Sequence, residues 1–189
     1  MGEPWRHRAA GLPRADPGVV TSQLFRVMVI SDTHFWHDNI VRYHNRPWNH
    51  TELMIARWRE AVSDDDIVLH CGDIVHGISS GILERCFPDL PPARKFLVPG
   101  NHDTTTRIPI FLKHGWQIFD PFETRYQGVR LIFTHEPLED VPPGAINVHG
   151  HLHSNPAPTH RHLNVSVEHL DYRPQRLVWL LDQRLGGQR

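Results

Sequence analysis

Val148-His149-Gly150-His151-Leu152-His153 sets histidines at every second position around a glycine, at the end of a short apolar run. On extended backbone, residues i and i+2 face the same side with Cα atoms roughly 6–7 Å apart. At that spacing His151 and His153 can each face one of two adjacent ions, which in two-metal sites lie about 3.5–4 Å apart. Gly150 lets the chain turn tightly between them. Taken alone the triplet also fits a polar surface loop, so its meaning depends on what stands at the ends of the other apolar runs.

Leu24 to Ile30 reads as a buried strand and runs into Ser31-Asp32-Thr33-His34. Asp66 to His70 is a second strand, closed by Cys71-Gly72-Asp73, and Lys95 to Val98 a third, closed by Pro99-Gly100-Asn101-His102-Asp103. Trp116 to Tyr126 and Val129 to Phe133 read as two strands joined through Gln127-Gly128, a hairpin signal. The second of these ends in Thr134-His135-Glu136. Ala145 to Val148 leads into the histidine triplet, and Leu163 to Val167 is one more strand. Helices are expected from a cap at Asn49 or Thr51 to about Val62, over Ser79 to Phe87 with Ile82, Leu83 and Cys86 inward, near Thr106 to His114, and over Gln175 to Gln183, where a strand also suits. Ligand-type side chains therefore recur where α/β sheets bind ligands, beyond the carboxyl ends of strands.

Composition sets limits. At 189 residues one domain is expected over 23–189, preceded by a Pro-, Gly- and Arg-containing flexible leader, 1–22. An apolar fraction of 39% and a charged fraction of 22% are those of an ordinary globular protein. A formal net charge of −1 gives no argument for a polyanion partner. Sixteen histidines exceed what packing needs, and imidazole is a favoured ligand for first-row transition metals. Cys71 and Cys86 make neither a disulfide framework nor a CxxC pair, so a reduced cytoplasmic setting is expected, with Cys86 a core residue. No apolar run approaches the roughly 20 residues of a membrane span, and Met1 to Thr21 lacks the apolar core of a secretory signal.

Five strands thus finish in Asp32/His34, Asp73, Asn101/His102, His135 and His151/His153, all nitrogen or oxygen donors. In this the chain resembles the calcineurin-like metallophosphoesterases, whose signature reads D-x-H, G-D, G-N-H-[DE], H and G-H-x-H. All five blocks occur in order between residues 32 and 153, without a departure.

The resemblance implies an α/β fold, a four-layer α/β/β/α sandwich of two mixed sheets. It implies two divalent transition-metal ions, Mn2+ foremost with Fe, Zn2+ or Ni2+ as alternatives. One would take Asp32, His34 and His153, the other Asn101, His135 and His151, with Asp73 bridging. His102 would be the acid histidine and Asp103 the residue orienting it. Arg46, or Arg42, is a candidate for holding the substrate's phosphate, with His37 beside it. His70, His76 and His149 read as packing or support. The activity implied is hydrolysis of a phosphate mono- or diester by metal-activated hydroxide, the diester slightly favoured because loops alone border the site. The small substrate is an ester or nucleotide. A nuclease and a non-catalytic protein-binding scaffold are the alternatives. Near-neutral charge weakens the first, and the complete ligand set weakens the second.

Overall fold

The computed structural model describes residues 17–87, 89–119 and 122–186. In chain order the elements are α1 (Pro17–Thr21), β1 (Val27–Ile30), α2 (Ile40–His44), α3 (His50–Ala61), β2 (Ile67–His70), α4 (Ser80–Cys86), β3 (Arg94–Leu97), α5 (Ile108–Lys113), β4 (Trp116–Ile118), β5 (Phe122–Tyr126), β6 (Val129–Phe133), β7 (Ala145–His149), β8 (His162–Asn164), β9 (Gln175–Arg176) and α6 (Leu177–Gly186).

Two mixed sheets with helices result, as the α/β expectation has it. One sheet has the order β4-β3-β2-β1-β9, the other β5-β6-β7-β8. β1 to β4 run parallel and β9 antiparallel, while in the second sheet only β5 is antiparallel. Val-Met-Val-Ile of β1 and Ile-Val-Leu-His of β2 are buried at every position, the signature of strands covered on both faces. β5 instead alternates, with Phe122 and Thr124 inward and Glu123 and Arg125 outward.

One apolar core spans both sheets. Phe96, Phe119, Phe122 and Phe133 carry it from β3 to β6, with successive ring centroids 5.0, 4.5 and 5.2 Å apart. Trp58 of α3 packs over the first sheet against His70 and Trp116. Burying a side chain of this size contributes about 1.5–3 kcal/mol. No helix among the described residues is long and apolar enough to cross a membrane.

Register positions the site. Ile30 pairs with His70 and His70 with Leu97, so three strand ends lie side by side. In the second sheet Phe133 pairs with Val148. A parallel bridge between Ser31 and Ser166 joins the two sheets at this same end.

Several sequence boundaries need correction. Leu24–Arg26 is a 3₁₀ turn and not strand, because β2 begins only at Ile67 and offers the earlier residues no partner. The single strand expected over Trp116 to Tyr126 is two strands in different sheets, with residues 120 and 121 outside the described residues. Ile82 faces solvent at 43% exposure while Leu83 is buried, since successive helical residues point about 100° apart. The side chain of Cys86 lies outside the described residues. β8 covers only His162–Asn164, and the chain then turns through a 3₁₀ segment, Val167–His169. Gln175 and Arg176 pair with β1 before the closing helix begins. Val20 of α1 is buried and Thr21 bonds Thr124 of β5, so the packed chain reaches back beyond the expected start at Gln23. The rest of the expected leader, residues 1–16, lies outside the described residues.

Candidate metal centre

β1, β2, β3, β6 and β7 each stop two to four residues before a ligand-type side chain, and the chain then turns. Asp32, His34, Asp73, His151 and His153 all have positive φ, between 43° and 67°. Non-glycine residues in this region cost of order 1–3 kcal/mol each and collect at functional sites. The geometry expected for the triplet is corrected here. β7 ends at His149, and His151 and His153 reach the site from a left-handed turn, not from extended backbone. Gly150 has to be glycine because the turn after β1 passes directly against it. A Cβ there would overlap Ser31 Oγ and Asp32 Oδ2 and would stand 2.7 Å from Ser31 Cβ.

Two donor groups form. Asp32, His34 and His153 converge, with Asp32 Oδ1 3.9 Å from both His34 Nε2 and His153 Nε2. In the second group His135 Nε2 lies 2.9 Å from Asn101 Oδ1 and 3.2 Å from His151 Nδ1, which is itself 3.1 Å from Asn101 Oδ1. Asp73 Oδ2 stands between them, 3.5 Å from His34 Nε2 and 3.3 Å from His135 Nε2. Ligands at about 2.1 Å from one ion, set at right angles, are roughly 3 Å apart. The donor set fits a divalent cation on a further count. Both ring nitrogens of His34 are buried without a hydrogen-bond partner, and a buried unpaired polar atom is costly. A cation at Nε2 satisfies one of them. Mixed imidazole and carboxylate donors without thiolate suit first-row transition metals.

The surroundings fix the donors. Asp32 accepts the N–H of His151 at 2.9 Å and the hydroxyl of Ser166 at 2.9 Å on Oδ2. Asp73 Oδ1 accepts the N–H of His102 at 2.8 Å. His135 Nδ1–H donates to the Cys71 carbonyl at 2.8 Å, which leaves the Nε2 lone pair facing the site. In the metal-free chain burial opposes a charge on His135, yet Asp73 outweighs it and lifts the imidazole to about 10. Burial holds His34 well below its ordinary value despite Asp73.

His102 stands at the solvent side of the donors, its side chain 36% exposed and its Nε2 4.0 Å from Asp73 Oδ2. Its ring lies 3.9 Å from that of His76, which lies 4.3 Å from that of His37. Arg107 ties the two loops together, donating to the carbonyls of Val75, Ile78 and His102 at 2.8, 3.0 and 2.9 Å. His37 therefore sits at the edge of the site, and His76, read from sequence as packing, joins it there.

Two expected roles are corrected. Asp103 does not orient the His102 ring. It is fully buried and accepts the N–H groups of Asp73 (2.7 Å), Gly100 (2.9 Å) and Ile74 (3.1 Å), clamping two ligand-bearing loops together. Burial, reinforced by Asp73, pushes its carboxyl up to about 6. Arg46 is not free to hold phosphate. Its side chain is buried, and it donates to the carbonyls of Asp32 (2.6 Å) and Thr33 (2.9 Å) and to Glu168 Oε1.

Glu168 and His44 escaped the sequence reading. Glu168 Oε1 is 3.2 Å from His153 Nδ1, and the His44 ring stacks on His153 at 3.9 Å. Burial would raise Glu168, but the His153 hydrogen bond and Arg46 hold it down to about 2. The rule that picked out the other ligands also applies to Glu168, which stands just past the expected strand Leu163 to Val167.

Two mixed sheets with imidazole and carboxylate donors gathered at their carboxyl ends define a scaffold for divalent-metal phosphoester chemistry. The chain belongs to the calcineurin-like phosphoesterase family, whose pattern it matches over residues 25–184. An uncharacterised protein of Methanocaldococcus jannaschii is 32% identical over 168 residues, 80% of this chain and 87% of its own length. Among solved structures, a protein of unknown function from Aquifex aeolicus superposes with a TM-score of 0.62 at 26% identity, over 78% of this chain and 93% of that one. An archaeal phosphodiesterase superposes with a TM-score of 0.40 at 17% identity, over 74% of this chain and 81% of its own, too loose a likeness to bear on function.

Proposed function

We propose that this protein is a dinuclear metal-dependent phosphodiesterase acting on a small phosphodiester, with Mn2+ as the working ion. The observation that carries this reading is the place of Asp73, whose Oδ2 lies 3.5 Å from His34 Nε2 and 3.3 Å from His135 Nε2. A carboxylate shared by two convergent donor groups suits two ions side by side. Such ions supply a water that ionises near neutral pH and positive charge for the phosphoryl oxygens.

The chain's own groups do the rest. His102 is an imidazole beside the donors that is anchored through its main chain and partly open to solvent. Its main-chain N–H is fixed on Asp73, and its ring is placed to donate to a phosphoryl oxygen and to protonate the departing alkoxide. A positioned acid contributes on the order of 10²–10⁴ in rate. Arg46 and Arg107, the arginines bonded into the walls of the site, are both committed to main-chain carbonyls. Neither is left to meet the second negative charge of a monoester, and the imidazoles of His37 and His76 flank the site instead. A singly charged diester fits that flank better.

The test compares bis(p-nitrophenyl) phosphate with p-nitrophenyl phosphate on the Mn2+-loaded full chain, with His102→Ala in parallel and single-stranded RNA and DNA as further substrates. Faster diester turnover, reduced by the substitution, supports the proposal. Faster cleavage of the polynucleotides makes it a nuclease. Two bound ions without turnover of any of these overturn the enzyme reading in favour of the scaffold.

A further inference from the structure

The contact between Glu168 and His153 raises a question of proton placement. His153 faces the first donor group through Nε2. An imidazole nitrogen ligates only through a free lone pair, so in the neutral ring the proton has to sit on Nδ1. Two groups reach that Nδ1, and they ask opposite things of it. Glu168 Oε1, at 3.2 Å, is a carboxylate oxygen and only accepts; Arg46, at 3.3 Å, carries only N–H groups and only donates.

Distance and charge decide between them. Arg46 Nε donates to Glu168 Oε1 at 2.8 Å, and the Arg46 nitrogen near His153 donates one hydrogen to the Asp32 carbonyl at 2.6 Å. That nitrogen is 2.7 Å from Glu168 Oε1 and 3.3 Å from His153 Nδ1, so the nearer, charged oxygen draws its second hydrogen away from the imidazole. The ring's Nδ1–H is thus directed to Glu168, and the Nε2 lone pair to the donor group. The same guanidinium bonds the Thr33 carbonyl at 2.9 Å. One buried arginine therefore links the turn that carries Asp32 and His34, beyond β1, to the carboxylate that sets the ring of His153, beyond β7 of the other sheet.

We infer that Glu168, held by Arg46, is a positioning residue for the first metal: it fixes the tautomer of His153 and couples that ligand to the Asp32 turn. The inference rests on the metal-binding reading of the site but not on any substrate or turnover. Removal of the carboxylate frees an Arg46 hydrogen for Nδ1. The proton then moves to Nε2 and points at the place the cation takes. His44, Glu168 and His153 also stand close enough to be mistaken for a third cation site. The Arg46 charge, 2.7 Å from the shared carboxylate oxygen, already fills that place.

The test uses the full chain as wild type, Glu168→Leu and Glu168→Gln. Mn2+ binding is followed by calorimetry, and the metal-free His153 ring by its ¹⁵N shifts. Wild type is expected to show the proton on Nδ1 and two ions per chain. In Glu168→Leu one of the two sites weakens by about 10- to 100-fold, and the proton moves to Nε2. Glu168→Gln keeps an acceptor oxygen and restores most of both. A wild-type ring protonated on Nε2 overturns the inference even if the leucine variant fails to fold. So does a folded leucine variant that binds both ions as wild type does. Three ions per chain, falling to two with His44→Ala, would make Glu168 a ligand of its own. Absent turnover in every form would remove the phosphodiesterase proposal and leave this one standing.

Discussion

Gly100 and Asp73 touch across two loops: a Cβ added at Gly100 would stand 2.7 Å from the Asp73 main-chain nitrogen and overlap its carboxylate. The backbone after β3 has to pass this close for Asn101 and Asp73 to face one another. Gly100→Ala therefore displaces Asp73 from both donor groups. We expect a loss of about 1–3 kcal/mol from overpacking, with weakened binding of both ions. Gly81→Ala on α4, where nothing lies within 4 Å, is the control and should gain about 0.5–1 kcal/mol. Denaturant unfolding with calorimetric Mn2+ titration reads both effects. Wild-type ion affinity in Gly100→Ala would show that the loops open without cost.

Asp103 and His102 are neighbours with separable roles. An asparagine at 103 turns its NH2 toward a main-chain N–H that now has a carboxylate oxygen, leaving a buried donor unsatisfied at about 1–3 kcal/mol. Asp103→Asn should lower stability and ion affinity together. His102→Ala should leave both close to wild type and reduce turnover by about 10²–10⁴. If His102→Ala loses ions and Asp103→Asn does not, the roles assigned to them are reversed.

His76 tests how the His102 ring is held. Its ring lies 3.9 Å from that of His102, on the loop that Arg107 fastens. His76→Ala removes a wall of that ring without touching a proposed ligand. The expected result is a kcat lower by up to about 10²-fold, with ion stoichiometry and KM little changed. A change in KM alone would make His76 a contact of the substrate.

These cases show what the sequence made legible. The ligands could be read because every one follows a strand end, and parallel pairing in register brings strand ends together whatever the loops do. Their backbone could not. The positive φ of Asp32, His34, His151 and His153 follows from how tightly the chain must turn at the sheet edge, which no single dipeptide reveals. Asp103 was read as a partner of its neighbour, but its three hydrogen bonds run to residues 100, 73 and 74, fixed only once β2 and β3 lie side by side. The Arg46–Glu168 pair joins residues far apart in sequence across two sheets, and no spacing rule reaches that far.

His70 offers a pH test at a residue that is not itself a proposed ligand. It is fully buried on β2 beneath Trp58 and Trp116. Thr33 Oγ1 donates to the Ile74 carbonyl, so it accepts from His70 Nε2–H at 3.0 Å, while the buried Nδ1 has no partner for a second proton. Burial lowers His70 from 6.5 to about 3. Below its ordinary value the unfolded chain takes up a proton that the folded chain refuses. The contribution is whole above pH 6.5 and is lost as the pH falls toward 3, at about 1.4 kcal/mol per pH unit. His70→Gln keeps an N–H for Thr33 and does not titrate. It should be less stable than wild type at pH 7.5, because the ring packing is gone, yet its stability should fall less steeply between pH 6.5 and 4. Denaturant unfolding in chelator, so that ion binding does not enter, measures the two slopes. Parallel slopes would mean that the folded protein accepts the proton on His70, and that the ring is not sealed as the Thr33 hydrogen bond implies.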